Sequence, residues 1–402
     1  MWSRPPARRV RPGGDQMSES FLPYGRQSIG DDDVAAVAAV LRSDWLTTGP
    51  QVPEFEREFA AAVGAREAVA VSSGTAALHA SMHALGIGAG DEVIVPALTF
   101  AATANSVVYQ GGTPIFADVD PQTLLIDPAS VAARLTPRSR AIVGVDYGGQ
   151  PCDYDALREL ATAHGVRLVA DACHAPGGSW NGRPVGTLAD CSTFSLHPVK
   201  HVTSGEGGVV TTDDPGLAAR MRIFRNHGIT TDHRQREITG SWLYEMVELG
   251  YNYRLTDIQC ALGRSQLARL AGWVERRRAL ARRYDAAFAG MPGLRPLAVD
   301  PRAGHAYHLY VIQLTGDLAD IDRAGVFHRL RAAGIGANVH YLPVYLHPFY
   351  RERFGTGPGL CPRAEEAYER ILSLPMFPAM ADGDVDRVVR EVERAVGAGV
   401  GA

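Results

Sequence analysis

The sequence predicts an α/β protein in which a large, mostly parallel sheet carries helices on both faces and a small α+β unit follows at the C-terminal end. Three observations carry that reading. From Ala68 onward, short apolar runs alternate with segments of helical periodicity. Each run ends in small or polar residues suited to a turn. After Phe288 the alternation gives way to a shorter mixture of strand and helix patterns. A chain of 402 residues has room for roughly two or three folding units.

Residues 1–20 are rich in Arg and Pro and lack the apolar stretch of a secretory signal. They are read as a disordered extension rather than a basic interaction arm, with Met17 as an alternative start. The large domain is placed at 21–270 and the small one at 271–402. Asp31 to Leu41 predicts a helix with acidic residues in its first turn. DWLTTGP (44–50) is turn-rich, and Glu54 to Val63 has helical spacing. Strands follow at Ala68–Val71, Glu92–Pro96, Pro114–Ala117, Ala141–Val145, Arg167–Ala170, Cys191–Leu196 and Gly208–Thr211. Between them, helices are expected at Thr75–Leu85, Ala101–Tyr109 and Tyr154–His164. A long helix is predicted over Asp257–Phe288, its Arg276–Arg278 and Arg282–Arg283 face solvated or ion-paired. Pro292 to Pro301 breaks it. The small unit reads as strand His308–Leu314, helix Ala324–Ala333, an extended segment Ala337–Tyr341 and a closing helix Asp384–Val396.

Composition excludes several functions. Hydrophobic residues at 46% and charged residues at 21% are ordinary for a soluble protein. A formal charge of −4 leaves no basic footprint for nucleic acid. No apolar run approaches the ~20 residues that cross a bilayer. Five scattered Cys signal neither zinc nor a disulfide framework. An odd count with no signal peptide fits a reducing, cytoplasmic setting.

The chemistry centres on SLHPVKHVTSGEGG, Ser195 to Gly208. Of the 40 Lys and Arg residues, Lys200 is the single lysine. A guanidinium stays protonated, whereas a deprotonated lysine is a nucleophile toward carbonyls. One Lys in an Arg-biased chain can also be an accident of composition, but this one lies between a strand pattern and a Gly-rich turn. Val71 to Leu78, VSSGTAAL, reads as strand, turn and helix start. The N–H groups there, with the Ser73 and Thr75 hydroxyls beside Gly74, suit a phosphate. Alone, the turn reads equally as a capped helix. Asp171 in DACHAPGG follows a predicted strand, at the carboxyl end where α/β proteins place ligands. A carboxylate there suits a protonated pyridine nitrogen, though a turn Asp has the same signature. Phosphate cradle, strand-end Asp and Lys, in that order, are the contacts a pyridoxal phosphate (PLP) needs.

These motifs, with ALTF (97–100), DACHA (171–175), GYNYRLTDIQCALG (250–263) and NVHYLPVYLHPFY (338–350), resemble the DegT–StrS family of PLP-dependent sugar aminotransferases, from Leu22 to Pro378. The resemblance implies the aspartate-aminotransferase fold (fold type I) with PLP as cofactor. It implies that Lys200 binds the cofactor covalently and that Asp171 pairs with the pyridine nitrogen. Ser73, Gly74, Thr75 and Ser195 would hold the phosphate, and Phe100 would stack on the ring. Asn252 would reach the phosphate of a second copy, which implies a homodimer with shared sites. His174 stands where much of the family has Gln, as a cofactor contact or a packed His. With LPYGRQSI (22–29), DWLTTGP and HPVK, it resembles the subgroup that aminates C4 of a UDP-linked 4-keto-6-deoxy-N-acetylhexosamine from L-glutamate in pseudaminic acid biosynthesis.

His340 and Tyr341 match a segment near the substrate, where a packed Tyr is equally plausible. Arg254 pairs with an anion or braces a dimer. Asn226-His227-Gly228 is near substrate or a turn, and Glu206 orders the lysine loop or meets substrate. Another nucleotide-linked keto sugar or a keto-cyclitol is the alternative acceptor. Dehydrases of the family carry His in place of the lysine, so Lys200 argues against dehydration, and intact Asp171 and Lys200 argue against a non-catalytic relative.

Overall fold

The computed structural model describes residues 21–231, 236, 238, 240–317 and 321–397. The extension read from residues 1–20 lies outside them. Helices α1 (Asp31–Leu41) and α2 (Gln51–Val63) precede a sheet of seven strands: β1 (Glu67–Val71), β2 (Glu92–Pro96), β3 (Thr113–Ala117), β4 (Ser139–Val145), β5 (Arg167–Asp171), β8 (Cys191–Ser195) and β9 (Gly208–Thr212). The intervening β6 (Ser179–Trp180) and β7 (Arg183–Pro184) form a separate small sheet with Ala303–Gly304. The large sheet has the order β1-β9-β8-β5-β4-β2-β3. Its helices are α3 (Gly74–Ala84), α4 (Ala101–Tyr109), α5 (Pro128–Ala132), α6 (Tyr154–His164) and α7 (Pro215–Phe224).

Six strands share one direction, and β9 alone runs against both neighbours. Apolar alternation did not reveal that reversal. Its cause is the connection, because the loop Leu196–Gly207 holds no crossover helix and a parallel return needs one. Burial on both faces explains the continuous apolar strands: Val93, Ile94 and Val95 are fully buried in sequence. Helix starts are capped by side chains, Ser73 for α3, Asp153 for α6 and Asp214 for α7.

The stretch predicted as one helix is two, Asp257–Leu267 and Leu270–Phe288. The first packs on α1 and α2. The second enters another core, where Leu280, Tyr284 and Phe288 meet Ile312, Leu330 and Val392. That core covers an antiparallel sheet of Leu294–Pro296, Tyr310–Leu314 and Ile371–Leu374, the last strand unread in the sequence. Segment Ala337–Tyr341 makes a single bridge, Asn338 to Ser373, instead of a strand.

The arginine face also needs correction. Arg276, Arg282 and Arg283 are ion-paired, but Arg277 is only 1% exposed. Its Nη1 donates to the carbonyls of Tyr307, His308 and Met376, which ties the long helix to two loops. Arg277→Met leaves those carbonyls buried without this donor and is expected to lower stability by about 3 kcal/mol. Urea unfolding of the variant against the wild type measures the loss.

Candidate active site

Parallel strands deliver their carboxyl ends to one edge of the sheet, and a cavity of about 560 Å³ opens there. Strand β1 leads to Ser73–Thr75, β2 to Thr99 and Phe100, β5 ends on Asp171, and β8 ends on Ser195 before the lysine loop. His308 and the segment Asn338–Tyr341 close the opposite wall.

Asp171 lies on the floor, 6% exposed. Thr103 Oγ1 donates to its Oδ2 at 2.7 Å, and the Cys173 N–H donates to Oδ1 at 3.3 Å. A second carboxyl group, Asp146, follows β4 and is fully buried. It accepts from Cys152 N–H at 3.1 Å and Tyr154 O–H at 2.8 Å. Burial raises it to about 7, and the charge of Asp171 adds to the shift. The Cys173 thiol is pushed well up by burial first and by Asp171 second, so it stays neutral.

The lysine loop folds on itself. Leu196 O accepts from Ser204 N–H at 3.1 Å and Thr203 O–H at 3.0 Å, and Lys200 N–H donates to His197 O at 2.9 Å. Lys200 lines the cavity. His201 Nε2 is instead 2.8 Å from Ala306 O, and its ring is buried. Burial lowers Lys200 from its ordinary value, opposed by Cys173 and Asp171. The imidazoles nearby are also held neutral. Burial, then the charge of Lys200, pushes His174 and His308 well down and His340 to about 4. His174 Nε2 is 3.3 Å from Tyr341 O–H, while its buried Nδ1 has no partner among the described residues. His340 Nδ1 meets Ser373 Oγ at 2.8 Å, and its carbonyl accepts from Tyr147 O–H.

The N-terminus of α3 forms the cradle. Ser73 Oγ accepts from Ala76 N–H at 3.0 Å. A Cβ on Gly74 would stand 3.0 Å from Ser195 Cβ, and one on Gly208 would stand 2.3 Å from Ser73 O. Only glycine lets strand β9 and Ser195 close on the turn. Helix-terminal N–H groups beside Ser and Thr hydroxyls fit a phosphate. A buried carboxylate, one amine that burial shifts toward its neutral form and the 60% exposed Phe100 fit the pyridine, aldehyde and face of PLP. The unpartnered His174 Nδ1 leaves a polar atom for the same ligand.

Lys200, Asp171, Ser73, Gly74, Thr75, Phe100, His174, Ser195, His340 and Tyr341 are thus brought together. Asn252 and Arg254 are not. Asn252 is exposed and bridges Asn226, and Arg254 Nη1 donates to Asn226 Oδ1 at 2.9 Å beside a different cavity. Asn226-His227-Gly228 is a turn with positive φ at His227 and Gly228. Glu206 lies exposed at the cavity rim, and its carbonyl accepts from Ser204 Oγ and Gln259 Nε2. Sequence reasoning missed Tyr24, Thr99, Thr103, Asp146 and His308. Tyr24 stands in the LPYGRQSI motif, and Thr99 and Thr103 are two hydroxyls one helical turn apart after a strand; Asp146 and His308 carried no signal.

Fold and site define a fold-type-I PLP enzyme. The profile of the DegT/DnrJ/EryC1/StrS aminotransferase family matches residues 27–393, and the chain belongs to that family: it is a PLP-dependent sugar aminotransferase. It is 43% identical to the spore coat polysaccharide biosynthesis protein SpsC of Bacillus subtilis over 95% of this chain and 98% of that one. A putative sugar aminotransferase of Streptococcus pneumoniae, solved in its PLP form, superposes with a TM-score of 0.87 at 31% identity, covering 94% of this chain and 99% of the other. Helicobacter pylori PseC, an aminotransferase involved in the biosynthesis of pseudaminic acid, superposes at 0.89 with 30% identity, covering 94% of this chain and all of PseC.

Gly208→Ala forces β9 away from the Ser73 carbonyl. Its expected result is at least a tenfold weaker PLP affinity, read by cofactor titration, with a lower unfolding temperature. A pH dependence follows from the imidazoles. His340 titrates at about 4 in the fold and near 6.5 when unfolded. Between those values the unfolded chain binds more protons, so stability is lost as pH falls from about 6.5 toward 4. His174, His201 and His308 shift in the same direction and steepen the loss. Urea midpoints across that window should fall, and fall less in His340→Gln.

Proposed function

We propose that the protein transfers an amino group from L-glutamate to C4 of a UDP-linked 4-keto-6-deoxy-N-acetylhexosamine, in the cytoplasm, as a homodimer with shared active sites. The observation that carries amino transfer is that the chain's single lysine enters the same cavity as Asp171 and the α3 N-terminus. His201 is turned away onto Ala306 O, which favours transfer over dehydration. The acceptor is supported by His174 with the LPYGRQSI, DWLTTGP and HPVK motifs, and by the likeness to PseC. The higher identity to SpsC favours a second reading, in which another nucleotide-linked keto sugar is the acceptor. The dimer is supported by an exposed apolar stretch, with Trp242 88%, Leu243 69% and Leu249 76% exposed, beside Asn252.

PLP bound here supplies an aldehyde that takes the amine and a ring that withdraws electrons from the carbon bearing it. Asp171 would hold the ring nitrogen, with Phe100 and His174 against the ring. Ser73, Gly74, Thr75, Ser195 and Asn252 of the partner subunit would hold the phosphate. Lys200 Nζ takes the proton from Cα of glutamate and later delivers one to C4 of the sugar, which requires the neutral amine that burial favours. His340, Tyr341 and the partner subunit's Arg254 would orient the substrates.

Single-turnover spectroscopy tests the reading. Glutamate should discharge the long-wavelength cofactor absorbance of the loaded protein. The UDP-linked keto sugar should restore it as an aminated sugar forms. A response to glutamate alone discards this acceptor, and no response to either discards amino transfer. Lys200→Arg should keep the fold and lose more than about a thousandfold in turnover.

A further inference from the structure

Asp171 is oriented by more than its strand. Thr103 has one hydroxyl proton, and a carboxylate only accepts, so that proton goes to Asp171 Oδ2 at 2.7 Å. Thr103 Oγ1 then accepts from Thr99 Oγ1, 2.8 Å away. The order of donation is Thr99 to Thr103 to Asp171. These residues are 1%, 0% and 6% exposed, so water competes little for any of the three groups. The carboxylate torsion of an Asp is broad and nearly two-fold, and a single buried donor is enough to select one setting. Among the described residues the backbone contact to Asp171 Oδ1 is the long one from Cys173 N–H, and a carboxylate oxygen with so weak a donor can accept again.

The neighbouring carboxyl group sharpens the assignment. Asp146 follows β4, and its N–H donates to the Asp171 carbonyl at 3.1 Å. Two adjacent carboxyl groups resist being ionised together, and the charge of Asp171 adds to the burial that raises Asp146. Asp146 Oδ2 has no partner among the described residues, and burial raises the group. Asp171 receives the Thr103 hydroxyl.

We propose that Thr103 is a positioning residue that fixes the Asp171 carboxylate so that Oδ1 meets the ring nitrogen of PLP, and that Thr99 holds Thr103 in that role. The inference rests on the reading of Asp171 as the ring-nitrogen partner.

The test compares binding of PLP with binding of its 1-deaza analogue, which carries C–H in place of the ring nitrogen. Titration of the cofactor-free chain gives both affinities, and its unfolding temperature reports the fold. Thr103→Val should bind PLP about tenfold more weakly and the analogue as the wild type does. Thr103→Ser, which keeps the hydroxyl, should stay near wild type for both. Equal PLP affinity in Thr103→Val and wild type overturns the proposal. An equal loss for both compounds also overturns it, because the hydroxyl then only packs the floor. Should the valine variant not fold, Thr103→Ala is judged by the same comparison. Asp171→Asn separates the two readings. If it loses PLP selectively while Thr103→Val does not, the role of Thr103 fails and that of Asp171 stands. If neither variant is selective, the reading of Asp171 fails and takes the proposal with it.

Discussion

A sheet buried on both faces can place polar side chains only where its strands end. Six of the seven strands end at one edge, and Ser73, Thr99, Asp171 and Ser195 reach the site as strand-end residues or the start of the following loop. The exception, β9, enters from that edge. Gly208 at its start lies against Ser73, opposite Val71 and Ser195 in the ladder. The reversal makes the lysine loop short and closed. It also brings the phosphate cradle and the amine to adjacent strands.

Electrostatics separates the two buried cations. Lys200 and Arg277 both sit near His308, and each loses water. The guanidinium stays protonated and spends its N–H groups on three carbonyls, which makes it a structural clamp. The ammonium has a lower intrinsic pKa and a compact charge, so the same burial lowers it toward the neutral form. A chain that uses arginine for every other long cation keeps its single lysine at the cavity, where burial can bring it toward the neutral form. The surrounding imidazoles, all shifted down by burial and by the Lys200 charge, stay uncharged beside it.

What the sequence made legible follows the same geometry. Lys200, Asp171 and Ser73–Thr75 belong to contiguous motifs at strand ends, so local pattern found them. The direction of β9 follows from a connection without a crossover helix, and the break at Ala268–Arg269 from packing partners elsewhere in the chain, neither of which apolar spacing encodes. Arg277 failed for a related reason: within a run of arginines, only the burial of one helix face distinguishes a clamp from a solvated charge. Tyr24, His308 and Asp146 reach the site from segments far apart in sequence, and only Tyr24 lies in a motif, LPYGRQSI. Asn252 and Arg254 were legible as a motif, yet one chain does not carry them to its own cavity.

The site accordingly divides by depth. Its floor, Asp171 with Thr103 and Asp146, is locked by buried hydrogen bonds whose loss costs free energy wherever the change is made. Its rim, with Phe100, Glu206 and His197, is exposed and held by fewer contacts. Substitution at the rim is cheap for the fold, and substitution on the floor is not. Cofactor chemistry should therefore persist among relatives that accept different sugars. Identity of the acceptor has to be sought in the rim.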